Sequence, residues 1–579
     1  MPDQGRSNAE IAQVFSNIAD LLDIKGEDWY RVRAYRRAAE AIAQHPEDLA
    51  TLWEEGRLEE VPGVGKAIAG KVDEMLRTGQ LEYYERLRSE IPDGVLSLLG
   101  IPGVGPRTAS LLYHELGLVS VPDVETAARQ HRVRSLKGLG AKSEERILQG
   151  IEMLHRLSGR HLLATALPVA EELMGALESQ SDAHSVTTAG SLRRCTPTVG
   201  DIDILAASES PEQVVDYFVS LPQVSEVRSR GDTKATVYLH NGLQVDLMVL
   251  EKAHYGSLLQ HFTGSKDHNA ALRGLARRQG LSLSEYGFQH EDGTISSCAT
   301  EEEVYATLGL EWIPPELREA RGELEAAREN RLPHLITEQD IRGDFHAHTV
   351  YSDGASTIEE MARAAIERGY EYVVITDHSQ GLGVAGGLNP EDFARQWEEI
   401  SIVNQRLAPF RILSGVELEI RSEGDLDLPD DVLAQFDVVV ASVHSGLRQD
   451  REKMTGRMIA AMRSPHVDIM GHPTGRLLGQ RESVEVDFDA VVVEAARTGT
   501  MLEVNAQPNR LDLDGELARM AIGAGVMLAL GSDAHHAEGL GVMRFGVATA
   551  RRGWAEPANV ANSLSCDELL ARLRSKKTS

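Results

Sequence analysis

Three acidic residues have the spacing of a metal-binding catalytic centre. Asp201 and Asp203 lie two residues apart in GDIDIL, and Asp246 lies in the alternating run LQVDLMVL. Because side chains alternate along a strand, Asp201 and Asp203 share one face, while Ile202 between them faces the other side. Carboxylates on neighbouring strands can hold two divalent ions that activate a hydroxyl and stabilise a leaving phosphate. We therefore predict Mg²⁺ bound by Asp201, Asp203 and Asp246 as the catalytic residues.

A turn with phosphate-binding groups precedes these acids. Gly190 and Ser191 begin GSLRRC, and Arg193 and Arg194 follow at once. Backbone N–H groups, a hydroxyl and guanidinium groups together can bind a triphosphate. The carboxylates by themselves are compatible with several phosphate reactions, and the turn favours a reaction of a nucleoside triphosphate. We expect nucleotide binding here by Gly190, Ser191 and Arg194.

A second set of metal-ligating residue types follows short apolar runs from about residue 341 onward. The set is His346, His348, Asp353, His378, Glu417, His444, His472, Asp533 and His535. Imidazoles suit zinc, manganese or iron, and carboxylates favour harder ions. Glu417 could bridge two metals. Bound metal lowers the pKa of a coordinated water and provides hydroxide at neutral pH, so the pattern predicts hydrolysis of a phosphate ester.

The elements that position this second set have a repeated βα rhythm. About seven short apolar strands alternate with helical segments, and each candidate ligand lies in or just beyond the carboxyl end of a strand. Parallel barrels carry their active sites at that end. The sequence therefore predicts a barrel with its site in the mouth.

The first 155 residues have apolar residues at spacings of three and four, which predicts helices. Three Gly-x-Gly turns interrupt them, each with an apolar frame and a following amphipathic helix. Such turns let the backbone and a helix start approach phosphate without reading sequence. We predict DNA-backbone contacts at Gly63, Gly65, Gly103, Gly105, Gly138 and Gly140. Lys71, in the first of these helices, is either a solvated lysine or an amine nucleophile that forms a Schiff base.

Residues 8–315 resemble the family X DNA polymerases, the group of DNA polymerase beta. The motifs are Gly190-Ser191-x-Arg193-Arg194, Asp201-x-Asp203, Asp246 and HFTGSKDHNAALR. The resemblance implies triphosphate contacts by Ser191 and Arg194, sugar contacts by Phe262 and Gly264, a base contact by Asn269, a template contact by Arg273, and a lyase lysine at Lys71. Cys195 and His261 stand where the family usually has glycine and an aromatic residue.

The histidine-rich half resembles the polymerase and histidinol phosphatase (PHP) family, with all nine ligand positions present. The resemblance implies a distorted (β/α)7 barrel holding two or three divalent ions, Mn²⁺ or Zn²⁺, and an active phosphoesterase. The pairing of both halves is similar to that in bacterial and archaeal family X polymerases. It implies gap filling on gapped or primer-template DNA with dNTPs, 3′–5′ exonuclease action, and abasic endonuclease or 3′-phosphatase action in some members.

We expect a multidomain α/β protein. Its predicted parts are a helix-hairpin-helix, lyase-like domain at 1–88, a fingers-type helix-hairpin-helix domain at 89–157, an α+β nucleotidyltransferase palm at 158–255, a thumb at 256–317, a linker at 318–340 and a PHP domain at 341–579. Because the linker is charged and Pro-flanked, we expect semi-independent sites.

The composition sets further expectations. A net charge of −30 argues against a uniformly basic surface but allows local phosphate-binding patches. Three cysteines without a Cys-x-x-Cys pair, and a polar start lacking an export pattern, favour a cytoplasmic protein with no membrane segment, which we expect to be monomeric. Two alternatives stay open: a small-molecule phosphatase with a passenger polymerase-like half, and a scaffold without chemistry.

Overall fold

The computed structural model describes residues 8–45, 48–61, 63–157 and 159–577. The chain divides into two compact units, Met1–Ser158 with Gly479–Glu482, and Gly159–Leu478 with Ser483–Ser579. The first seven residues, which contributed to the expectation of a protein without an export signal, lie outside the described part. Within the described residues, no helix is long and apolar enough to cross a membrane.

The first unit is helical. Its helices are α1 Asn8–Ile24, α2 Trp29–Gln44, α3 Leu49–Glu54, α4 Lys66–Thr78, α5 Glu82–Glu90, α6 Asp93–Ser97, α7 Pro106–Leu116, α8 Val121–Arg129 and α9 Ala141–Leu157. In α1 the buried residues Ile11, Phe15, Ile18 and Leu22 recur at spacings of three and four. This stripe packs against α2 and builds the core of the unit.

The second unit begins with the predicted palm. Its elements are β1 His161–Leu162, α10 Leu163–Gln180, β2 His184–Thr188, α11 Gly190–Arg193, β3 Thr198–Val199, β4 Ile202–Ala207, α12 Pro211–Val219, β5 Val224–Arg230, β6 Lys234–Leu239 and β7 Gln244–Leu250. The main sheet has the order β2-β4-β7-β6-β5, and β4 and β7 are parallel neighbours. Ile202 and Ile204 of β4 are fully buried, as their alternation with Asp203 predicts.

The thumb follows. It comprises α13 Tyr255–Thr263, α14 Lys266–Arg278, β8 Ser282–Ser284, β9 Gly287–Gln289, β10 Ile295–Ser296 and α15 Glu301–Thr307. Phe288, Val304 and Tyr305 are buried in one cluster with Leu272 of α14. This separate core packs α14 and α15 against the small β8–β10 sheet.

The segment predicted as a linker at 318–340 is partly helical and packs against the thumb. A short turn of helix at Pro315–Leu317 precedes this segment, and the segment itself contains α16 Glu323–Arg328. Arg318 and Glu323 are fully buried: Arg318 pairs with Glu301, and Glu323 lies 2.7 Å from His268 Nδ1. These two ion pairs, together with the buried Ala327 and Leu335, attach the segment to the thumb core, so it is not a flexible spacer. Its other charged residues include Arg321, Glu325, Arg328 and Glu329, which are exposed.

The remainder forms the barrel. Its elements are β11 Gly343–Asp344, α17 Ile358–Glu367, β12 Tyr372–Ile375, α18 Pro390–Leu407, β13 Arg411–Glu419, α19 Asp430–Leu433, β14 Val438–Ser442, α20 Arg451–Met462, β15 Ile469–Met470, α21 Phe488–Thr498, β16 Met501–Asn505, α22 Gly515–Gly523, β17 Leu528–Gly531, α23 Met543–Arg552 and α24 Cys566–Lys577. Within the described residues, β11 to β17 form a seven-stranded parallel sheet in chain order.

Backbone contacts beyond the ends of the first and last strands bring the sheet towards closure. The Asp533 N–H donates to the His346 carbonyl at 2.8 Å, and the His348 N–H donates to the Ala534 carbonyl at 2.8 Å. The strand count and the parallel order confirm the predicted barrel class. The same hydrogen bonds fix the backbone of two predicted ligand segments against each other.

Candidate active sites and nucleic-acid interface

The three predicted catalytic carboxylates meet at the palm sheet. Asp203 on β4 pairs in register with Asp246 on β7, and Asp201 lies directly before β4. One carboxylate oxygen from each lies within 4.8 Å of the others. Thr236 Oγ1 donates to Asp246 Oδ1, and Gln244 Nε2 donates to Asp246 Oδ2 at 2.8 Å. Hydrogen bonds from β6 and β7 therefore orient the Asp246 carboxylate.

Burial and like charge act on this carboxylate set. Burial first, and then the charges of Asp201 and Asp246, raise the pKa of Asp203 to about 7. Burial and the Asp246 charge also raise the pKa of Asp201. Carboxylates this close resist full ionisation unless a cation offsets their charge. An all-oxygen set of this kind fits Mg²⁺, which prefers carboxylate ligands.

Gly190 makes room for Asp203. Its φ is +59°, and a Cβ at this position would lie 2.0 Å from Asp203 Oδ2. Only glycine allows both this backbone conformation and this approach. Ser191 follows it in α11 and is half-buried. Cys195, where the resembling family usually has glycine, has a φ of +52°, which lies in the left-handed region that favours glycine.

The two arginines after Ser191 have different partners. Arg193 Nη1 and Nη2 each lie 2.8 Å from the Glu301 carboxylate. Arg194 Nε lies 3.2 Å from Glu319 Oε1, and Arg194 Nη1 donates to the Thr263 carbonyl at 2.6 Å. Arg193 therefore joins the palm to the thumb, although the sequence suggested that both guanidinium groups face a triphosphate. A partner 108 residues away leaves no trace in local spacing.

The predicted sugar-contacting residues lie at the end of α13. Phe262 is half-buried and packs against a small cluster that contains Tyr255 and Leu258. A Cβ on Gly264 would lie 3.2 Å from Arg194 Nη1. Gly264 is therefore next to the predicted triphosphate-binding arginine.

Asn269 and Arg273 lie four residues apart on α14 and share one helix face. The Asn269 side chain is buried: its Nδ2 donates to the His261 carbonyl at 2.6 Å, and its Oδ1 accepts from Gln260 at 2.7 Å. Arg273 is half-buried. The structure thus ties Asn269 to the residue before Phe262, which links the predicted base contact to the predicted sugar contact.

In the barrel, Glu417 is the centre of the predicted ligand set. Its Oε2 lies 3.3 Å from His346 Nε2 and 3.0 Å from His378 Nδ1. Its Oε1 lies 3.1 Å from His444 Nε2 and 2.9 Å from His472 Nε2. One carboxylate therefore faces four imidazoles, as a bridging ligand would.

The remaining ligands complete the cluster. Asp353 Oδ2 lies 3.5 Å from His378 Nε2 and 3.4 Å from His535 Nε2. Asp533 Oδ1 lies 3.3 Å from His348 Nε2. Three overlapping groups, each within 4.8 Å, have metal-ligating composition: His348, Asp353, His378 and His535; His346, His348 and Asp533; His378, Glu417 and His444. All nine predicted side chains are thus brought to one place at the carboxyl ends of the strands.

Two carboxylates that the sequence analysis did not single out hold the ligands from behind. Glu503 Oε1 lies 2.7 Å from His346 Nδ1, and Glu419 Oε2 lies 2.9 Å from His444 Nδ1. Such contacts fix the tautomer and orientation of a ligating imidazole. Side chains two residues apart on a strand share a face, so the sequence indicates that Glu419 lies on the same face as Glu417. It does not indicate that Glu419 contacts His444.

Neighbouring charges shift the pKa values of the histidines in this cluster in both directions. Burial lowers the pKa of His378, but the nearby charges of Glu417 and Asp353 outweigh it and raise that pKa to about 10. Burial and the neighbouring histidines lower the pKa of His348 to about 3. Buried Nδ1 atoms of His348 and His472 have no hydrogen-bond partner among the described residues. Clustered carboxylates and unpartnered ring nitrogens fit divalent cations, which would replace the protons.

The three Gly-x-Gly turns of the first unit have the same geometry. The N–H of the residue between the glycines donates to a carbonyl three residues earlier: Val64 to Val61 at 3.0 Å, Val104 to Ile101 at 2.9 Å and Leu139 to Leu136 at 3.0 Å. The first glycines, Gly63, Gly103 and Gly138, have φ of +84°, +86° and +95°. The second glycines, Gly65, Gly105 and Gly140, are exposed immediately before α4, α7 and α9. Each turn can therefore present backbone N–H groups to phosphate.

Lys71 lies on α4, with its Nζ 5.0 Å from the centroid of the Tyr83 ring. Tyr83 also stacks with Tyr35 at a centroid distance of 6.0 Å. The structure thus places the Lys71 amine against the face of one aromatic ring, and its role as a nucleophile stays a prediction.

Comparison with known protein families gives four matches. They are a helix-hairpin-helix domain at 6–81, a SAM-like helix-hairpin-helix tandem at 95–152, a DNA polymerase beta thumb at 258–319 and a PHP domain at 344–507. The chain is 39% identical over 568 residues to "DNA polymerase/3′-5′ exonuclease PolX" from Bacillus subtilis, covering 98% of this chain and 99% of that protein. The chain belongs to the PolX family of DNA polymerases. The alignment with this relative, at 98% of the chain, includes the PHP domain.

Two further relatives match parts of the chain. DNA polymerase lambda from Rattus norvegicus is 24% identical over 344 residues, covering 54% of this chain and 56% of that protein. A probable phosphatase from Thermoanaerobacter sp. is 32% identical over 203 residues, covering 33% of this chain and 78% of that protein. This chain is thus similar in part to a polymerase and in part to a probable phosphatase, which agrees with its two separate metal-binding clusters.

Proposed function

We propose that this chain fills gaps in DNA during repair and removes nucleotides from 3′ ends. The observation that carries this proposal is the presence of both assembled centres, the carboxylate triad and the nine-ligand barrel cluster, in one member of the PolX family. We further propose that it acts as a cytoplasmic monomer on gapped or primer-template DNA.

In the polymerase, Asp201, Asp203 and Asp246 would hold two Mg²⁺ ions. Bound there, these ions supply the Lewis acidity that activates a primer 3′-hydroxyl and neutralises the leaving pyrophosphate. Thr236 and Gln244 hold the Asp246 carboxylate in the orientation that ligation requires. Because the pKa of Asp203 is raised to about 7, part of its population is protonated near neutral pH. That proton must leave before the carboxylate can bind a cation.

The substrate nucleotide is positioned by residues around Gly264. Ser191 and Arg194 bind the triphosphate, and Phe262 and Gly264 pack against the sugar. Asn269 contacts the base edge, and Arg273 contacts the template. Contacts of these kinds align the reacting atoms and so supply much of the rate. The proximity of Gly264 to Arg194 supports this assignment.

In the barrel, the nine ligands would hold two or three ions, for which we propose Mn²⁺ or Zn²⁺. These ions would supply hydroxide at neutral pH for attack on the terminal phosphodiester. Glu503 and Glu419 hold the ring orientations of His346 and His444. The three helix-hairpin-helix turns would grip DNA phosphates without sequence preference. If the Lys71 amine is a nucleophile, it would form a Schiff base with the sugar of an abasic site and add a lyase activity.

A one-nucleotide gap substrate with a labelled primer tests this proposal. The wild-type protein with Mn²⁺ should extend the primer with dNTPs and shorten it without them. Histidinol phosphate serves as the control substrate. Hydrolysis of histidinol phosphate without any change in the primer would instead support the small-molecule phosphatase.

A further inference from the structure

Arg552 ends helix α23 of the barrel and reaches the palm. Its Nη1 donates to the carbonyl oxygen of Arg194 at 2.6 Å, and its Nη2 lies 3.0 Å from Glu319 Oε1. Arg194 Nε lies 3.2 Å from the same Glu319 oxygen. The side chains of Arg552, Glu319 and Arg194 are 13%, 19% and 14% exposed. One carboxylate oxygen therefore joins guanidinium groups of the barrel and the palm.

The position of Arg552 is set by close packing within the barrel. A Cβ at Gly515, the first residue of α22, would lie 2.8 Å from the Arg552 Cβ. Glycine at 515 thus lets α22 press directly on Arg552. This contact restricts the start of the Arg552 side chain, and the contacts of its guanidinium with Arg194 and Glu319 hold the other end.

Arg194 shares its acidic partner with a second guanidinium group. Because Arg552 and Arg194 both contact Glu319 Oε1, Arg194 can exchange this contact for the oxygen of a bound anion while Glu319 keeps Arg552 as its partner. The Arg194 guanidinium lies beside Gly264, where the sugar and triphosphate of the incoming nucleotide are proposed to bind. The anion that this geometry fits is therefore the triphosphate of a dNTP.

We propose that Arg552 is a positioning residue for nucleotide binding by the polymerase. It holds the backbone of Arg194, so that the Arg194 guanidinium can turn from Glu319 to the triphosphate without moving its Cα. Glu319 then keeps Arg552 as its partner and is not left as an unpaired buried carboxylate. The inference rests on the proposed polymerase function. It makes a barrel residue part of the polymerase substrate site.

The test is steady-state gap filling by Arg552→Ala. Without Arg552, Glu319 retains Arg194 alone and the Arg194 backbone loses its anchor. We expect the KM for dNTP to rise about tenfold, the scale of one charge-assisted hydrogen bond, while kcat changes less than about threefold. Shortening of a single-stranded 3′ end without dNTPs should keep the wild-type rate.

Arg544→Ala is the matched control. Arg544 lies on the same helix and pairs with the palm residue Glu171 at 3.3 Å, but it is 32% exposed and does not contact Arg194. Its loss should change the KM for dNTP less than about twofold, as for an exposed ion pair. An equal rise in both variants would show that general packing between barrel and palm is responsible, and would overturn the inference.

Arg552→Lys decides the matter if Arg552→Ala does not fold by circular dichroism. Lysine keeps the charge but cannot make both guanidinium contacts, so an intermediate KM supports the inference. A wild-type KM in a folded Arg552→Ala or in Arg552→Lys overturns it. Failure of the proposed function itself is distinct, because the wild type would then extend no primer at any dNTP concentration.

Discussion

Substitution of Gly190 by alanine should disable the polymerase, because it displaces the Asp203 carboxylate. The new Cβ would lie 2.0 Å from Asp203 Oδ2, whereas carbon and oxygen in contact need more than about 3 Å. Asp203 must therefore move by about 1 Å or more, and a displacement of this size in a catalytic group costs about 100-fold in rate. A φ of +59° adds about 1 kcal/mol of backbone strain to the alanine variant.

The assay is single-turnover filling of a one-nucleotide gap by Gly190→Ala, with a thermal melt to establish folding. Gly175→Ala in α10 is the control, because an added Cβ would meet nothing within 4 Å beyond its own stretch of helix and alanine favours a helix. We expect normal rates for Gly175→Ala and a loss of about 100-fold for Gly190→Ala. A folded Gly190→Ala that fills gaps within about threefold of wild type would refute the reasoning that Asp203 needs this space.

Three further predictions address the metals and the DNA grip. Glu503→Gln should lower barrel metal affinity about 10-fold to 100-fold, since Glu503 orients His346; metal content measured by mass spectrometry should fall, and wild-type content would count against this role. Because the pKa of Asp203 is raised to about 7, the Mg²⁺ concentration for half-maximal gap filling should rise as the pH is lowered through about 7; an unchanged midpoint between pH 8 and pH 6 would contradict the protonation argument. Gly105→Asp should weaken DNA binding about tenfold at low salt, because the new carboxylate repels phosphate, whereas Gly105→Ser should not. Fluorescence anisotropy with duplexes of two different sequences should show equal losses of affinity. A loss that depends on sequence would contradict the assignment of backbone contacts.

Much of the fold could be predicted, because the spacing of apolar residues indicates helices and strands and the polar residues that follow apolar runs indicate where strands end. Alternation around Asp203 identified β4 and its buried face, and the register with Asp246 followed once β7 was placed beside it. In the barrel, each ligand type came directly after an apolar run. Parallel strands in chain order bring such positions to the same end, so the cluster around Glu417 was predictable without knowledge of side-chain contacts.

Contacts between distant segments could not be predicted in this way. Arg193 pairs with Glu301, and Glu323 pairs with His268, across 108 and 55 residues. Local spacing predicts which face a side chain occupies, but not which partner neutralises it. For this reason the charge of the segment after residue 317 predicts a linker, although Arg318 and Glu323 within it form buried ion pairs.

The most direct test of the central claim places both reactions on one substrate. A one-nucleotide gap with a labelled primer 3′ end is incubated with Mn²⁺, with and without dNTPs, using wild type, Asp203→Ala and His346→Ala. The account predicts that Asp203→Ala shortens the primer but does not extend it, and that His346→Ala extends the primer but does not shorten it. Loss of both reactions in either folded variant would contradict the claim that two chemically separate sites work in this chain.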